Sequence, residues 1–335
     1  MDSRKAVMEP AVANIVDGLQ AAGLIGGAET PVFQPLAGGV SCDVWKVDTR
    51  DGPIVVKRPL PQLRVAAEWL APVERGTSEV RWLKRAASVD PRIVPEVLAE
   101  MPADHAFAMR FLPDCPVWKD ELVAGRVDAG FAAAVGHSIA AVHAATAGSA
   151  SDQAMFATDA MFRALRIDPF LLHVAAKEPA LAGALEAMAA DLAASKVALV
   201  HGDVSPKNIL VGPDGPVFLD AECAVFGDPA FDLAFCVTHL LLKTVWRDDE
   251  RMRQAAAALV DAYHAGVNWE DPAGLAARVG RLTAALLLAR VEGKSPAAYL
   301  TDPKHIAAVR EQARALVATP RPVGALVADW KRTVA

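Results

Sequence analysis

The chain has 335 residues, with 34 basic and 40 acidic side chains, a net charge of −6 and 53% apolar residues. That length suits two domains or one large two-lobed unit with a full core, and the composition excludes a disordered chain and a broadly basic nucleic-acid binder. A mean hydropathy of +0.25 raises a membrane reading, but the stretch 231–237, which already holds Asp232, is followed by Thr238 and His239 and closed by Lys243, well short of the roughly 20 apolar residues that span a bilayer. The N-terminal MDSRKAVMEP lacks the apolar core of a signal peptide. A cytoplasmic globular protein is expected, with neither membrane nor nucleic acid as partner. Cys42, Cys115, Cys223 and Cys236 are scattered, with no C-x-x-C pair, so each reads as a small buried thiol rather than a zinc ligand or disulfide partner.

In chain order, residues 11–25 carry apolar positions at helical spacing, ended by Gly23 and Gly26. A glycine turn at 35–41 leads into the alternating Val44-Trp45-Lys46-Val47. Asp51-Gly52 marks a hairpin, with Ile54-Val55-Val56-Lys57 returning. A helix is predicted around 76–87, with Val80, Leu83 and Ala87 on one face, and strands at 94–99 and 107–111. From Pro113 onward alanine-rich helices dominate, at 128–147, 180–195, 251–266, 273–292 and 304–317. A strand-rich interval at 197–220 interrupts them. The layout is α+β: a small β-rich lobe at 1–112 and a large helical lobe at 113–335 with one β island. The first 110 residues are almost neutral, at −1, and the remaining 225 carry −5.

The interval 200–234 carries the chemistry. Asp203 and Asn208 lie five apart on a loop between apolar strands, and Asp220 follows at the end of a later strand. A loop carboxylate facing a cleft can accept a proton from a hydroxyl, and a nearby amide and second carboxylate supply hard oxygen ligands for Mg²⁺. Phosphoryl transfer needs these parts, because most of its catalysis is positioning and charge neutralisation.

The run HGDVSPKN, followed by LDAE and GDPAFDLA, resembles the aminoglycoside phosphotransferase and choline kinase family, relatives of the protein kinases. FDLAFCVTHLLLK is most similar to its methylthioribose kinase branch. The resemblance covers roughly 30–300 and implies a protein-kinase-like two-lobed fold that moves the γ-phosphoryl group of ATP, with Mg²⁺, to a small-molecule hydroxyl. It implies Asp203 as catalytic base, Asn208 and Asp220 as metal ligands, His201 as a brace beneath the loop and Asp232 as a hydrogen-bond acceptor for the loop backbone. Glu222 is placed either against a magnesium-bound water or on a solvated edge. Lys207 stands four residues after Asp203 rather than two as in protein kinases, and is either near the transferred phosphoryl group or a solvated loop lysine. On the nucleotide side, Gly38, Gly39 and Ser41 would approach phosphate oxygens through backbone N–H groups. Lys57 would bind phosphate, paired with Glu79 in preference to Glu68 or Glu74. Cys42-Asp43 departs from the asparagine common after Gly-Gly-x-Ser, and Asp43 would repel a triphosphate if it faced inward. The segment 107–111 would read the adenine edge. Arg110 stands where many relatives have an acid, which leaves ATP or GTP open, with ATP the default.

For the acceptor, the acidic helical lobe is compatible with a cation, while Trp118, Trp246, Trp269 and Tyr263 do not cluster as a choline cage would. Arg163 and Arg166, or Arg290 with Lys294, are candidates to face a carboxylate or phosphate on the acceptor, although a solvated helix-end role is favoured for each. The alternative to an enzyme is a nucleotide-binding pseudokinase or regulatory module, which would have no use for Asp203.

Overall fold

The structure is a computed structural model that describes residues 10–27, 29–36, 41–62 and 72–331. Helix α1 (Pro10–Ala21) precedes strands β1 (Phe33–Pro35), β2 (Cys42–Val47) and β3 (Ile54–Pro59). Helix α2 (Arg75–Ala87) is followed by β4 (Val97–Met101) and β5 (Ala106–Arg110). The five strands form an antiparallel sheet in the order β1-β2-β3-β5-β4. The β2–β3 hairpin turns at Gly52, whose φ of +106° suits a residue without a Cβ.

Strand alternation decides what the sheet presents to each side. Ile54 and Val56 pack with Ile15, Val16 and Leu19 of α1. Val55 lies in the large core with Val80, Trp82 and Leu83 of α2, and Lys57, two residues on, shares that face. The lysine is thereby aimed toward α2 and the rest of the molecule. The strand predicted at 94–99 begins at Val97 instead, because Pro91–Ile93 form a 3₁₀ turn capped by Asp90 and Pro95 has no N–H to give a ladder.

The second part is mainly helical. Helices α3 (Trp118–Val123), α4 (Ala129–Thr146), α5 (Ala150–Met155) and α6 (Asp159–Phe162) lead into a π-helical stretch, Arg163–Leu172, which contains Pro169. Helices α7 (His173–Lys177) and α8 (Ala182–Ala194) follow. The β island comprises β6 (Ala198–Val200), β7 (Ile209–Gly212), β8 (Gly215–Phe218) and β9 (Val225–Gly227), paired β6–β9 and β7–β8. Helices α9 (Ala230–Arg247), α10 (Glu250–Ala265), α11 (Pro272–Glu292), α12 (Pro303–Ala318) and α13 (Val323–Asp329) complete the chain. Helix α11 is long and apolar enough to cross a membrane by length and composition alone. Here its apolar residues Leu282, Leu286 and Leu287 are core residues. Cys42, Cys223 and Cys236 are buried thiols, whereas Cys115, on the connection before α3, is only partly buried.

Candidate active site

The catalytic-loop candidates gather between β6 and β7, held by the first turn of α9. Asp232 Oδ2 accepts from the His201 N–H at 2.7 Å and its Oδ1 accepts from the Gly202 N–H at 2.8 Å. Gly202 has φ +82°, and a Cβ there would stand 2.6 Å from the Cys223 carbonyl oxygen, so this position admits only glycine without strain. The ring of His201 ties the loop to the end of the next hairpin. Its Nδ1 accepts from the Asp203 N–H at 3.1 Å, so Nε2 carries the proton and donates to the Leu219 carbonyl at 3.1 Å. Burial pulls this imidazole below its ordinary pKa, in keeping with that single tautomer. Trp82 of α2 packs edge-on against it at 4.6 Å.

Asp203 is thus displayed by a backbone fixed on both sides. Its Oδ2 lies 3.0 Å from Lys207 Nζ and 3.2 Å from Arg166 Nη2. Arg166 also donates from Nε to the Gly202 carbonyl at 2.5 Å. The Asn208 amide donates to the Asp203 carbonyl at 3.1 Å, which leaves its oxygen for another partner. Lys207 keeps half of its side chain exposed while its ammonium reaches Asp203.

A buried charge network stands opposite. Lys57 Nζ lies 2.6 Å from Glu79, 2.5 Å from Asp220 and 3.2 Å from Glu222. Asp220 adopts a left-handed backbone, φ +68°, a conformation Asp tolerates better than most residues, and its N–H donates to Glu79 Oε1 at 3.1 Å. Burial pulls the Lys57 pKa down, but Asp220, Glu222 and Glu79 outweigh it and hold the ammonium well above its ordinary value. Burial pushes Glu79 up to about 7, opposed by Lys57 and reinforced by Asp220 and Glu222. Asp220 is held below the carboxylate range, because Lys57 and Lys207 together outweigh its burial.

Glu222 is no solvated edge. It is buried and accepts from Arg75 Nε at 3.0 Å, from Cys42 Sγ at 2.5 Å and from Ser41 Oγ at 3.3 Å. Asp43 pairs with Arg58 at 2.7 Å, its cross-strand partner, so it is engaged within the sheet. Gly38, Gly39 and Glu68 lie outside the described residues. Arg110 pairs with Glu96, both exposed.

The donor set fits Mg²⁺. Glu79, Asp220 and Glu222 place one carboxylate oxygen each within 4.8 Å of the others, but Lys57 already sits among them. Asp220 is the most accessible of the three, its side chain 25% exposed against 1% for Glu79 and 6% for Glu222. A hard divalent cation takes such an oxygen together with an amide oxygen and phosphate.

Sequence reasoning missed Arg75 as a functional residue. It is fully buried and also donates to the carbonyls of Pro72, Ser41 and Leu60. No motif marks it, since its partners come from four separate segments. Arg166 and Arg290 depart from the solvated helix-end role expected of them. The Arg166 side chain is 12% exposed and touches Asp203, and Arg290 stacks on Phe170 at 5.9 Å. Arg163 is exposed and pairs with Asp168.

Residues 32–278 match the family described as the phosphotransferase enzyme family. Among curated proteins the chain is similar to methylthioribose kinases. It is 24% identical to that of Bacillus cereus strain AH820 over 62% of this chain and 60% of the relative. It is 26% identical to that of Klebsiella pneumoniae strain 342 over 71% of this chain and 67% of the relative. The chain therefore spans about 60% of the first relative's length. Among solved structures, a choline/ethanolamine kinase family protein from Mesorhizobium loti shares the fold, with a TM-score of 0.54 and 18% identity, over 95% of this chain and 98% of the other. The fold expected from the sequence, protein-kinase-like with a small antiparallel sheet before a helical part, agrees with that likeness.

Proposed function

The chain belongs to the phosphotransferase enzyme family, and from that premise we propose an ATP- and Mg²⁺-dependent small-molecule kinase that moves the γ-phosphoryl group to an acceptor hydroxyl. The observation that carries this reading is the presentation of Asp203 by a loop that Asp232 and His201 fix from below, next to the Lys57–Asp220 network. Residues up to about 112 would hold the nucleotide, and residues beyond it the base and the acceptor.

Asp203 accepts the proton as the acceptor oxygen attacks the γ-phosphorus. The bond from that phosphorus to the bridging oxygen breaks, and ADP leaves. Lys57 orients the nucleotide phosphates, held in place by Glu79. Asp220 and the Asn208 oxygen would hold Mg²⁺, which when bound neutralises charge on the phosphates. Lys207, within reach of Asp203, offers a cation to the transferred group. We place the reaction in the cytoplasm, where ATP and Mg²⁺ are supplied. A purely regulatory nucleotide binder would leave Asp203 and its brace without a task.

The test follows ADP release from Mg-ATP with a panel of amino, sugar and hydroxy-acid acceptors. Acceptor-dependent release is expected, reduced about a hundredfold or more in Asp203→Ala. Release independent of every acceptor, or full turnover in Asp203→Ala, overturns the proposal.

A further inference from the structure

Next to Asp203, reached through Arg166, the helical part holds cations that the proposed chemistry does not use. Along one stripe of α9, Phe235, His239, Lys243 and Trp246 recur at the i, i+4 and i+3 spacing that aligns side chains on a helix face. The π-helical stretch packs on this stripe: Arg166 lies over the Phe235 ring at 5.7 Å, and Phe170 meets Phe235 at 5.7 Å. Phe235 in turn meets His239 at 5.1 Å. From the end of α11 and the loop behind it come Arg290, over Phe170, and Tyr299. Lys243 Nζ stands 4.4 Å from the Tyr299 ring centre, and Trp246 meets the same ring at 5.0 Å. The Lys294 N–H donates to the Pro169 carbonyl at 3.3 Å and ties that loop to the π-helical stretch.

Two of these cations, Lys243 and Arg290, have no carboxylate partner among the described residues. Lys243 is only 2% exposed. Arg290 spends Nη1 on the Ser295 carbonyl and hydroxyl, while its Nε and the Tyr299 hydroxyl are buried without partners. Burial and the nearby Arg290 charge pull Lys243 down to about 7. A buried cation without an anion is costly, and an apolar side chain of similar volume is normally the more stable choice. Buried donors that neighbour one another against aromatic rings, joined to Asp203 through Arg166, have the form of a ligand site lacking its ligand's charge.

We infer that this cluster is the acceptor's anion subsite, so that the enzyme phosphorylates a hydroxylated small molecule carrying a carboxylate or phosphate rather than an amine. The inference rests on the kinase reading above and sharpens it. The negative total of the helical part does not describe its interior next to Asp203, where the local sign is positive.

The experiment compares kcat/KM for acceptors matched except in charge: gluconate with glucose, glycerate with glycerol and ribose 5-phosphate with ribose, with choline and streptomycin as cations. At least one anion should exceed its neutral partner tenfold or more, and that advantage should fall at least tenfold in Lys243→Met and in Arg290→Gln. The acid and phosphate pairs separate the two anion types. Turnover of neutral or cationic acceptors with no anion preferred overturns the inference and leaves the kinase reading standing. Should none of these acceptors react, inorganic phosphate is titrated calorimetrically into protein loaded with Mg²⁺ and AMP-PNP. Saturable binding weakened tenfold in both variants supports the subsite, and absent or unaltered binding overturns it. Protein that binds no AMP-PNP sinks the kinase reading instead, and the phosphate titration on the free protein then decides the subsite. Thermal midpoints confirm that both variants are folded.

Discussion

Lys243 shows how one buried charge trades stability for a binding task. Its ammonium lies against the Tyr299 ring, with Arg290 and Lys119 as cationic neighbours and the Cys236 thiol beside it. Burial pushes that thiol far above its ordinary range, so it supplies no anion. The folded lysine sits at about 7, against an ordinary value of 10.5, which means the folded state binds fewer protons than the unfolded state between those values. Stability therefore rises with pH through that window, and the penalty is fully present below pH 7. Lys243→Met removes the penalty and keeps the volume. It is expected to stabilise the protein by on the order of 5 kcal/mol at pH 6, a gain that fades as pH approaches 10. Urea unfolding at the two pH values checks this, and an equal or absent gain at both would refute it. The residue was visible in the sequence as a charge at i+4 spacing on the apolar stripe of Phe231, Phe235 and His239, where it served only to close an apolar run. Asp203, Asn208, Asp220 and Asp232 were legible because loop and strand set them at fixed spacings within one short interval. Arg75 and Arg166 were not, since each meets its partners only when distant segments fold together.

At the scale of elements, the alanine-rich helices were legible, with ends within one or two residues of the observed α4, α8, α10, α11 and α12. Helix α9 was not delimited: Asp232, Thr238, His239 and Lys243 break up its apolar residues in the sequence, yet the fold buries them along with the rest, Asp232 and Lys243 against partners from other segments. The π-helical stretch was hidden by Pro169, which reads as a helix breaker, and β9 is three residues long. The α4–α10 pair shows what element packing does for the site. A Cβ at Gly136 would lie 2.2 Å from the Leu259 carbonyl oxygen and 3.1 Å from the Tyr263 nitrogen, so the two backbones are in direct contact. Their closeness lets His143 of α4 accept from the Tyr263 hydroxyl at Nδ1, 2.7 Å away, while its Nε2–H donates to Asp232 at 3.2 Å. Gly136→Ala gains about 1 kcal/mol of helix propensity but forces the helices apart, an overpacking that costs about 1–3 kcal/mol or more. A lower urea midpoint together with a reduced kcat is expected, because the spreading pulls His143 from the carboxylate that anchors the catalytic loop. An unchanged midpoint would show that the pair yields without strain.

Across the whole molecule, the two parts are joined by one continuous core and one buried ion network. Val55, Phe107 and Met109 of the sheet share a core with α4, α9 and α11, and Trp82 of α2 packs on both His201 and Phe218. The network crosses the same boundary. Lys57, Glu79 and Arg75 come from the first part, and Asp220 and Glu222 follow the β7–β8 hairpin of the second. Arg75 fixes the geometry of this crossing, because its guanidinium holds Glu222 together with the carbonyls of Ser41, Leu60 and Pro72. Arg75→Met would remove the cation that faces Glu222 and leave those carbonyls short of a donor. Breaking a buried pair from one side costs about 3–5 kcal/mol, so the thermal midpoint should fall by several degrees. Ser41 would lose its anchor, and the freed Glu222 would compete with nucleotide phosphates for Lys57. Calorimetric titration with AMP-PNP and Mg²⁺ is therefore expected to show affinity lowered tenfold or more. A variant that melts early yet binds the nucleotide with native affinity would confine Arg75 to holding the two parts together, and one unaltered in both would remove it from the site altogether.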